Sequence, residues 1–511
     1  MTNSPRSPAS PLLAVSLAAG VLMGCSLFDE DSSEQAPTPT AGATQTLPSG
    51  EPVPPTPLPP DPPGTVYDVE WVESASPPLL EGRELESPLA DVVPDVEPVW
   101  RLYVVESDSE PRPLRESGRL LVTTRWGRES DSLTVQYLTQ VEGDGYVRGY
   151  ERFIVASGET AWDVLSTNNP SFDLSPDGSR FAMRDGTQGR PFNRGAFSVW
   201  QPDGETLLLE GFTSERPREW SPDGRYFIST GYAGSVTTPQ EQSRNYYLLE
   251  PGADEVVLLG RPGPNNGINI GWTVDGSTIA FTEDGDSSLS LLDPVTQELR
   301  SIDLSQALPN GASPAWSVNG GYVAVADGVV DVETEQVLLA PSGSPVRGAA
   351  VSPDGSMLVQ TEGIFESACE PLQSNRVMLT AVETGVQSIL LDCGEEEVFT
   401  EVEWLDAGHL LVRSADCDQC EPFYFSVRLF TFPDLSVQNL TDGREIGASY
   451  AVAPDRSRVL IGGDSLRVFD AGGVLIREIV PPLGYKVTAV SWSADGSSFA
   501  YVVGPARVNL I

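Results

Sequence analysis

Four cysteines in the carboxy-terminal half are the sharpest local signal of chemistry in the sequence. They are Cys369, Cys393, Cys417 and Cys420. An even number of cysteines in an exported chain favours two disulfides, and we prefer the pairs Cys369–Cys393 and Cys417–Cys420 among the three pairings that four cysteines allow. A metal site has less support, because wide gaps precede the single C-x-x-C. A redox role has less still, since no helix follows Cys417 to activate its thiol.

Residues for nucleophilic or acid–base catalysis are sparse. His409 is the only histidine, so a Ser-His-Asp site or a histidine-rich metal site lacks parts. No G-x-S-x-G with a downstream histidine and no phosphate-binding glycine loop is present. The acidic pairs Asp284/Asp286 and Asp416/Asp418 have the chemistry to bind calcium or to act as acid and base. In a chain with 73 acidic residues such pairs arise by chance, so we predict no catalytic residue, no metal and no cofactor.

The overall charge excludes one large class of partner. The chain of 511 residues carries 73 acidic and 31 basic side chains, a formal net charge of −42. Such a surface repels phosphate backbones, so we expect no nucleic-acid binding. The charge favours solubility and, as an alternative, attraction of cations or of a basic partner.

The first residues have the pattern of an export signal. An apolar stretch from Leu12 to Met23 is too short to span a bilayer comfortably and has the proportions of a secretory signal. The sequence Leu22-Met23-Gly24-Cys25 resembles the bacterial lipoprotein lipobox, which implies a signal peptide over 1–24, cleavage before Cys25 and its lipidation. The alternative is an ordinary signal cut near Ala19. We expect an extracytoplasmic protein whose lipid anchors it to the bacterial cell membrane or the cell surface.

Residues 25–65 form a proline- and threonine-rich stretch. Proline at this density blocks helices and sheet ladders and favours extended polyproline II, so we predict a disordered stalk that holds the folded part away from the membrane.

The elements that must position any site are short strands in a repeated unit. An aromatic or aliphatic residue is followed by Ser-Pro-Asp-Gly or a relative of it, and then by an apolar run. The eight copies begin at Leu174, Trp220, Trp272, Trp316, Val351, Trp404, Val452 and Trp492. The next residues stand at 175, 221, 273, 317, 352, 405, 453 and 493, so successive copies are 35 to 53 residues apart. That period, together with hairpin turns, is typical of propeller blades.

The repeated unit resembles the TolB-type and WD-repeat-like β-propeller motif, whose W-S-P-D-G core stands at Trp220–Gly224. The resemblance covers about Ser171 to Ile511. We predict an all-β fold, a single propeller of about eight four-stranded blades over 146–511, with seven blades as the alternative. The stretch from Tyr150 to Leu165 reads as the third and fourth strands of a blade, and we expect amino-terminal strands to complete the last blade. Residues 66–145 are β-rich and form a cap or part of the ring.

Function is predicted from the longest insertions, which fall between second and third strands and hence on one face. Loops on a rigid scaffold usually carry binding, so the candidate ligand contacts are Arg190, Arg194, Tyr232, Arg244 and Phe365. We expect a non-catalytic module for a protein or polymer of the cell envelope, anchored to the membrane, with no prediction of oligomeric state. One alternative is a propeller enzyme that acts on carbohydrate or another polymer through carboxylates at the channel mouth. Another is a TolB-like component of an envelope complex.

Overall fold

The computed structural model describes residues 63–73, 79–81, 99–106, 109–141, 145–166, 172–184, 195–200, 206–233, 245–260, 268–283, 287–306, 308, 313–341, 348–363, 375–394, 397–416, 424–441, 445–446 and 449–506. Regular structure in these residues consists of β-strands. None of the described segments is a helix of the length and apolarity needed to cross a bilayer.

Thirty-nine strands follow one another along the described chain. The first five are β1 (Val66–Asp68), β2 (Glu70–Glu73), β3 (Leu79–Glu81), β4 (Trp100–Glu106) and β5 (Arg112–Ser117). The next eleven are β6 (Leu120–Trp126), β7 (Ser132–Val141), β8 (Gly145–Ile154), β9 (Thr160–Ser166), β10 (Phe172–Leu174), β11 (Phe181–Arg184), β12 (Gly195–Trp200), β13 (Thr206–Trp220), β14 (Phe227–Ala233), β15 (Asn245–Leu249) and β16 (Glu255–Gly260).

The middle of the chain contains β17 (Ile268–Trp272), β18 (Ile279–Glu283), β19 (Ser288–Leu292), β20 (Leu299–Asp303), β21 (Ala315–Trp316), β22 (Tyr322–Val325), β23 (Gly328–Asp331), β24 (Gln336–Leu339), β25 (Gly348–Val351), β26 (Met357–Gly363), β27 (Asn375–Ala381) and β28 (Val386–Gly394). The last strands are β29 (Glu397–Asp406), β30 (His409–Asp416), β31 (Tyr424–Thr431), β32 (Ser436–Asn439), β33 (Glu445–Ile446), β34 (Tyr450–Val452), β35 (Arg458–Ile461), β36 (Leu466–Asp470), β37 (Leu475–Ile479), β38 (Tyr485–Trp492) and β39 (Ser498–Pro505).

These strands form nine antiparallel blades, so the prediction of about eight blades, or seven, is wrong by at least one. Blades 1 to 3 are β6–β9, β10–β13 and β13–β16, and the long strand β13 serves both blade 2 and blade 3. Blades 4 to 8 are β17–β20, β21–β24, β25–β28, β29–β32 and β34–β37. Blade 9 consists of β38, β39, β4 and β5. The all-β class and the four-stranded blade are confirmed.

Blade 9 closes the ring with strands from both ends of the chain. β39 pairs antiparallel with β4, so that Phe499 lies opposite Val105, and β4 pairs with β5. Amino-terminal strands therefore complete the last blade, but they are not the strands around Tyr150 and Leu165. Those residues lie in β8 and β9, which are the third and fourth strands of blade 1.

Local chemistry explains why each repeat folds back after its first strand. In the turn at Ser221, the buried hydroxyl donates to Asp223 at 2.5 Å and accepts from the amide of Tyr226 at 2.8 Å. Asp223 accepts in turn from the amide of Arg225, and Gly224 has φ +68°, a conformation in which glycine has no steric cost. The same set of bonds recurs at Ser352 and Ser493.

The first–second turn of blade 1 does not match the Ser-Pro-Asp-Gly motif, which is why the sequence predicted eight such turns and not nine. Gly127 stands where most of the other turns have serine or threonine, and Ser130, with φ +59°, stands where most of them have glycine. The amide of Gly127 donates to the carbonyl of Ser132, and that of Ser130 to the carbonyl of Gly127. The turn at Ser175 has the same two backbone bonds, from Ser175 to Arg180 and from Gly178 to Ser175.

Nine hydrophobic clusters fill the spaces between neighbouring blades. One of them joins Tyr150 and Val164 of blade 1 to Phe181 and Trp200 of blade 2, and each other interface has a cluster of its own. A blade has two apolar faces and cannot bury both by itself, so closing the ring is what completes the core.

Indole hydrogen bonds link the first strands of consecutive blades. In five blades the tryptophan at the end of the first strand donates from Nε1 to a carbonyl in the first strand of the preceding blade. The pairs are Trp126 to Ser491, Trp220 to Asp173, Trp316 to Gly271, Trp404 to Ala350 and Trp492 to Ala451, at 2.9 to 3.3 Å. Because the first strands contact one another in this way, they form the inner wall of the ring and border its central channel.

Candidate functional site

The two faces of the ring are built differently. In an antiparallel blade, the first–second and third–fourth connections leave on one face, and the second–third connections leave on the other. We call the face of the second–third connections the insertion face and the opposite one the turn face. All nine first–second turns are short and lie on the turn face. The long segments 185–194, 234–244, 364–374 and 417–423 each join a second strand to a third, so their flanking strands end on the insertion face.

Two of the predicted site residues fall within described strands. Tyr232 lies near the end of β14, where its backbone pairs with Thr213. Cys393 is the extra residue of a β-bulge in β28, between Asp392, which pairs with Arg376, and Gly394, which pairs with Asn375. Nothing further is described for either side chain.

The other predicted site residues lie outside the described residues. They are Cys25, Cys369, Cys417, Cys420, Arg190, Arg194, Arg244 and Phe365. The disulfides, the lipidation and the ligand contacts therefore stay predictions.

A polar cluster on the channel wall, between blades 7 and 8, was missed from the sequence. Glu401 and Glu403 stand two apart on β29, the first strand of blade 7. Arg413 Nη1 donates to Glu401 at 3.3 Å, and Arg456 Nη1 donates to Glu403 at 2.9 Å. Tyr450 begins the first strand of blade 8, and the Arg413 guanidinium lies 5.8 Å from the centre of its ring. Two glutamates at i and i+2 just before a repeat tryptophan are the only sequence signal of this cluster.

The electrostatics of this cluster favour a structural network. Burial raises the pKa of Glu403, although the Arg456 charge opposes the shift. Burial and the neighbouring glutamates Glu401 and Glu403 raise the pKa of Tyr450 well above its ordinary value, so the phenol stays neutral. Each carboxylate already has a guanidinium partner, and the Glu403–Arg456 pair joins blade 7 to blade 8. The cluster is therefore better suited to hold the two blades together than to exchange protons with a substrate.

The single lysine of the chain is buried on the insertion side of blade 9. Lys486, in β38, is 8% exposed. Burial lowers its pKa, and the carboxylate of Asp464 in blade 8 partly offsets this. The amide of the next residue, Val487, donates to the carbonyl of Gly463 at 2.7 Å, so the start of β38 is fixed to the connection between β35 and β36.

The other residues considered for chemistry do not converge on a site. His409 is the first residue of β30 and contacts Asp406 at 2.9 Å through Nδ1, on the turn face. Asp416 ends β30, whereas Asp284, Asp286 and Asp418 lie outside the described residues. In the part of the chain that is described, no group of three or more histidine, cysteine or acidic side chains could hold a metal ion.

One carboxyl on the inner wall has a strongly raised pKa. Asp173 lies in β10, the first strand of blade 2, and burial raises its pKa to about 6, with the charge of Arg125 opposing the shift. The Arg125 Nη1 group donates to the carbonyls of Leu174 and Ser175. Near neutral pH the folded protein therefore contains an ionised carboxylate at a site that favours the protonated form.

Asp173→Asn should make the protein more stable above pH 6. The folded pKa lies above the ordinary one, so the carboxyl costs stability progressively as pH rises from about 4 to about 6, and the loss persists above that. A shift of this size corresponds to about 2–3 kcal/mol. We expect the difference between variant and wild type, measured by urea unfolding, to grow by about that amount over this range and then to level off.

Asp495→Asn is the control of opposite sign. Hydrogen bonds from Ser493 and Ser497 hold the pKa of Asp495 at about 2, so its ionised form stabilises the turn above the ordinary pKa, and that stability is lost as pH falls toward 2. This variant should be less stable than wild type at pH 7. Parallel pH profiles for the two variants would contradict the assignment of Asp173.

The chain is similar to solved structures, although no family model and no curated protein matches it. Hydrazine synthase from Kuenenia stuttgartiensis is 16% identical, with 57% of this chain and 94% of that chain covered and a TM-score of 0.31. A protein described as TolB, from Agrobacterium tumefaciens, is 14% identical over 80% of this chain and 98% of its own, with a TM-score of 0.30. An oligogalacturonate lyase from Vibrio parahaemolyticus is 11% identical over 67% and 98%, with a TM-score of 0.33. Its own nine blades make the chain a β-propeller, and structures described as TolB and as oligogalacturonate lyase are among those to which it is similar.

Proposed function

We propose that this protein is an extracytoplasmic lipoprotein whose propeller acts as a non-catalytic binding module. Lipid on Cys25 holds it at the membrane, the stalk over 25–65 displays it, and the insertion face engages a protein or polymer of the cell envelope. The observation that carries the proposal is the contrast between the two faces of the ring.

The turn face has little freedom to vary. Its first–second turns are all short, and three of them share one set of hydrogen bonds, in which Ser221, Ser352 and Ser493 are buried and already bonded to an aspartate and a backbone amide. The four long segments all connect second and third strands, on the opposite face. Variable segments on a rigid frame are where recognition usually occurs, so the insertion face is the better binding surface.

The charges of two of these segments indicate the chemistry of the partner. Arg190 and Arg194 belong to the segment of blade 2 and Arg244 to that of blade 3, which are neighbouring blades. Together these two segments, the sector of blades 2 and 3, carry three arginines and two acidic residues, Asp185 and Glu241. Their net charge of +1, in a chain with net charge −42, would attract an anionic group against the general trend of the chain. An acidic segment of a protein or an anionic envelope polymer fits this sector.

The experiment is chemical cross-linking in intact cells, followed by identification of what is captured. The test variant combines Arg190→Ser, Arg194→Ser and Arg244→Ser. The matched control combines Arg128→Ser, Arg225→Ser and Arg300→Ser, which removes the same charge from three exposed arginines in blades 1, 3 and 4. We expect one dominant product, reduced about tenfold in the test variant and nearly unchanged in the control.

The same cells test the anchor. Cys25→Ser should move the protein from the membrane fraction to the soluble fraction, because the acyl chains supply the membrane affinity. Unchanged fractionation would refute the lipoprotein assignment. Equal capture by the two arginine variants, or no product above background with the wild type, would refute binding through this sector.

A further inference from the structure

The amino-terminal strands form a belt around part of the ring. β1 adds antiparallel to β16, the outermost strand of blade 3, β2 adds to the outer part of β13 in blade 2, and β3 adds to β9 in blade 1. Tyr67 and Val69 of the belt pack against the core between blades 2 and 3. The ring therefore binds extended chain at three consecutive outer edges by main-chain pairing.

The outer edges of blades 4 to 8 are different. Within the residues that the structure describes, no strand pairs with the outer edge of β20, β24, β28, β32 or β37. Val256 and Val257 of β16 are buried, at 1% and 4% exposed, in the clusters on the two sides of blade 3, whereas Val386 and Ile389 of β28 are 64% and 50% exposed. Uncovered edge strands present free backbone donors and acceptors and are ready to pair with another strand.

Among these five edges, β28 of blade 6 is the one that exposes two large apolar side chains within a long uncharged stretch. It exposes Val386 and Ile389, whereas β24 and β32 expose one each, Leu338 and Val437. β28 has nine residues, and bulges at Leu390 and Cys393 leave Val386–Ile389 as its regular part. β20 contains Arg300 and Asp303, and β37 contains Arg477 and Glu478, which discourage pairing. β28 is uncharged from Val386 to Leu391.

We propose that β28 is a docking edge for an extended strand of a partner protein, which adds to blade 6 as β1 adds to blade 3. Strand addition takes affinity from main-chain hydrogen bonds and specificity from alternate side chains. Val386 and Ile389 are three residues apart and lie on opposite faces of β28. The aliphatic residues of the incoming strand would meet Ile389 on one face, and its basic residues would lie on the face of Val386. This surface lies at the rim of the ring and does not depend on the insertion face.

Charge defines the rest of the partner's chemistry. Glu383 precedes β28, and the neighbouring rim exposes Glu333 in blade 5 and Asp434 in blade 7, whereas Glu335 already pairs with Arg300 at 3.1 Å. These groups attract basic side chains and oppose pairing with a second copy of this chain, whose rim carries the same charges. The strand that fits is extended and alternates aliphatic with basic residues.

The test uses a nine-residue peptide of alternating valine and lysine as the probe and measures its Kd for the full chain. Ile389→Lys places a like charge on the docking edge and removes an apolar contact. Val295→Lys makes the same change at a residue that is 62% exposed in blade 4, away from β28. We expect saturable binding that weakens at least about tenfold in Ile389→Lys and less than about twofold in Val295→Lys.

Two further measurements separate strand addition from simple charge attraction. The same peptide with its two central valines changed to proline cannot complete the ladder and should bind at least about tenfold more weakly. Hydrogen exchange at Val386–Leu391 should slow with the first peptide, while exchange in β16 stays the same. Equal binding of the two peptides, equal effects of the two lysine variants or absence of binding overturns the proposal. A wild-type dimer that Ile389→Lys abolishes overturns it in favour of a second copy.

Discussion

Asp163→Ala is expected to lower the free energy of unfolding by about 3–5 kcal/mol. Arg119 Nη1 donates to the Asp163 carboxylate at 2.7 Å, and the Tyr137 hydroxyl donates to its other oxygen at 2.5 Å. Arg119 is only 7% exposed, so losing its acidic partner leaves a charge in a poorly solvated site. Burial and the Asp163 carboxylate also raise the pKa of Tyr137, which keeps the phenol as a donor.

The position of this ion pair makes the expected loss large. Arg119 lies between β5, the last strand of blade 9, and β6, the first strand of blade 1, where the ring is closed. Nearby, Glu151 in β8 is 3% exposed and pairs with Arg115 of β5 at 3.3 Å. Two acidic residues of blade 1 thus bond to arginines that flank its junction with blade 9.

Urea unfolding of both variants provides the measurement, and Glu250→Ala is the control. The Glu250 carboxylate accepts from Arg225 Nε at 2.7 Å, the same distance as in the Arg119–Asp163 pair. The side chains of Glu250 and Arg225 are, however, 35% and 46% exposed. Exposed pairs contribute about 0–1 kcal/mol, so this variant should unfold almost as the wild type does. If both variants lose the same small amount, the junction does not depend on the Arg119–Asp163 pair.

Turn chemistry is the part of the fold that the sequence predicts well. Serine, aspartate and glycine have local roles at fixed spacing, so eight hairpins are visible without any knowledge of the tertiary structure. The ninth is hidden because its turn needs only one residue with positive φ and two backbone bonds, which Gly127 and Ser130 supply without the motif. A count of motifs therefore gives a lower bound on the number of blades.

Long-range pairing is the part that could not be predicted. That β4 pairs with β39, and β1 with β16, depends on which edges remain free once the other blades have formed. The channel-wall cluster has the same origin, since Glu401 and Tyr450 belong to different blades and meet only through ring packing. The predicted loop contacts depend on the conformation of insertions that carry no repeated pattern.

Gly271→Ala is expected to cost about 3 kcal/mol or more, although the change adds a single methyl group. Gly271 lies in β17, and a Cβ there would stand 2.2 Å from the backbone carbonyl oxygen of Pro314, just before the first strand of blade 5. A flexible side chain could move aside, but this neighbour is main chain. The first strands of blades 4 and 5 would have to separate, which would also strain the 2.9 Å bond from Trp316 Nε1 to the Gly271 carbonyl.

Gly321→Ala is the matched control for this prediction. Its nearest neighbour would be the Asn319 side chain at 3.5 Å, an ordinary contact, so the added methyl group should change stability by less than about 1 kcal/mol. Thermal unfolding followed by tryptophan fluorescence reports both the loss and any change around Trp316. A Gly271→Ala protein as stable as the control would show that neighbouring blades can shift apart at little cost. Because the ring is closed, a shift at one interface must be taken up by the other eight. We therefore expect Gly271→Ala to lower the stability of the protein.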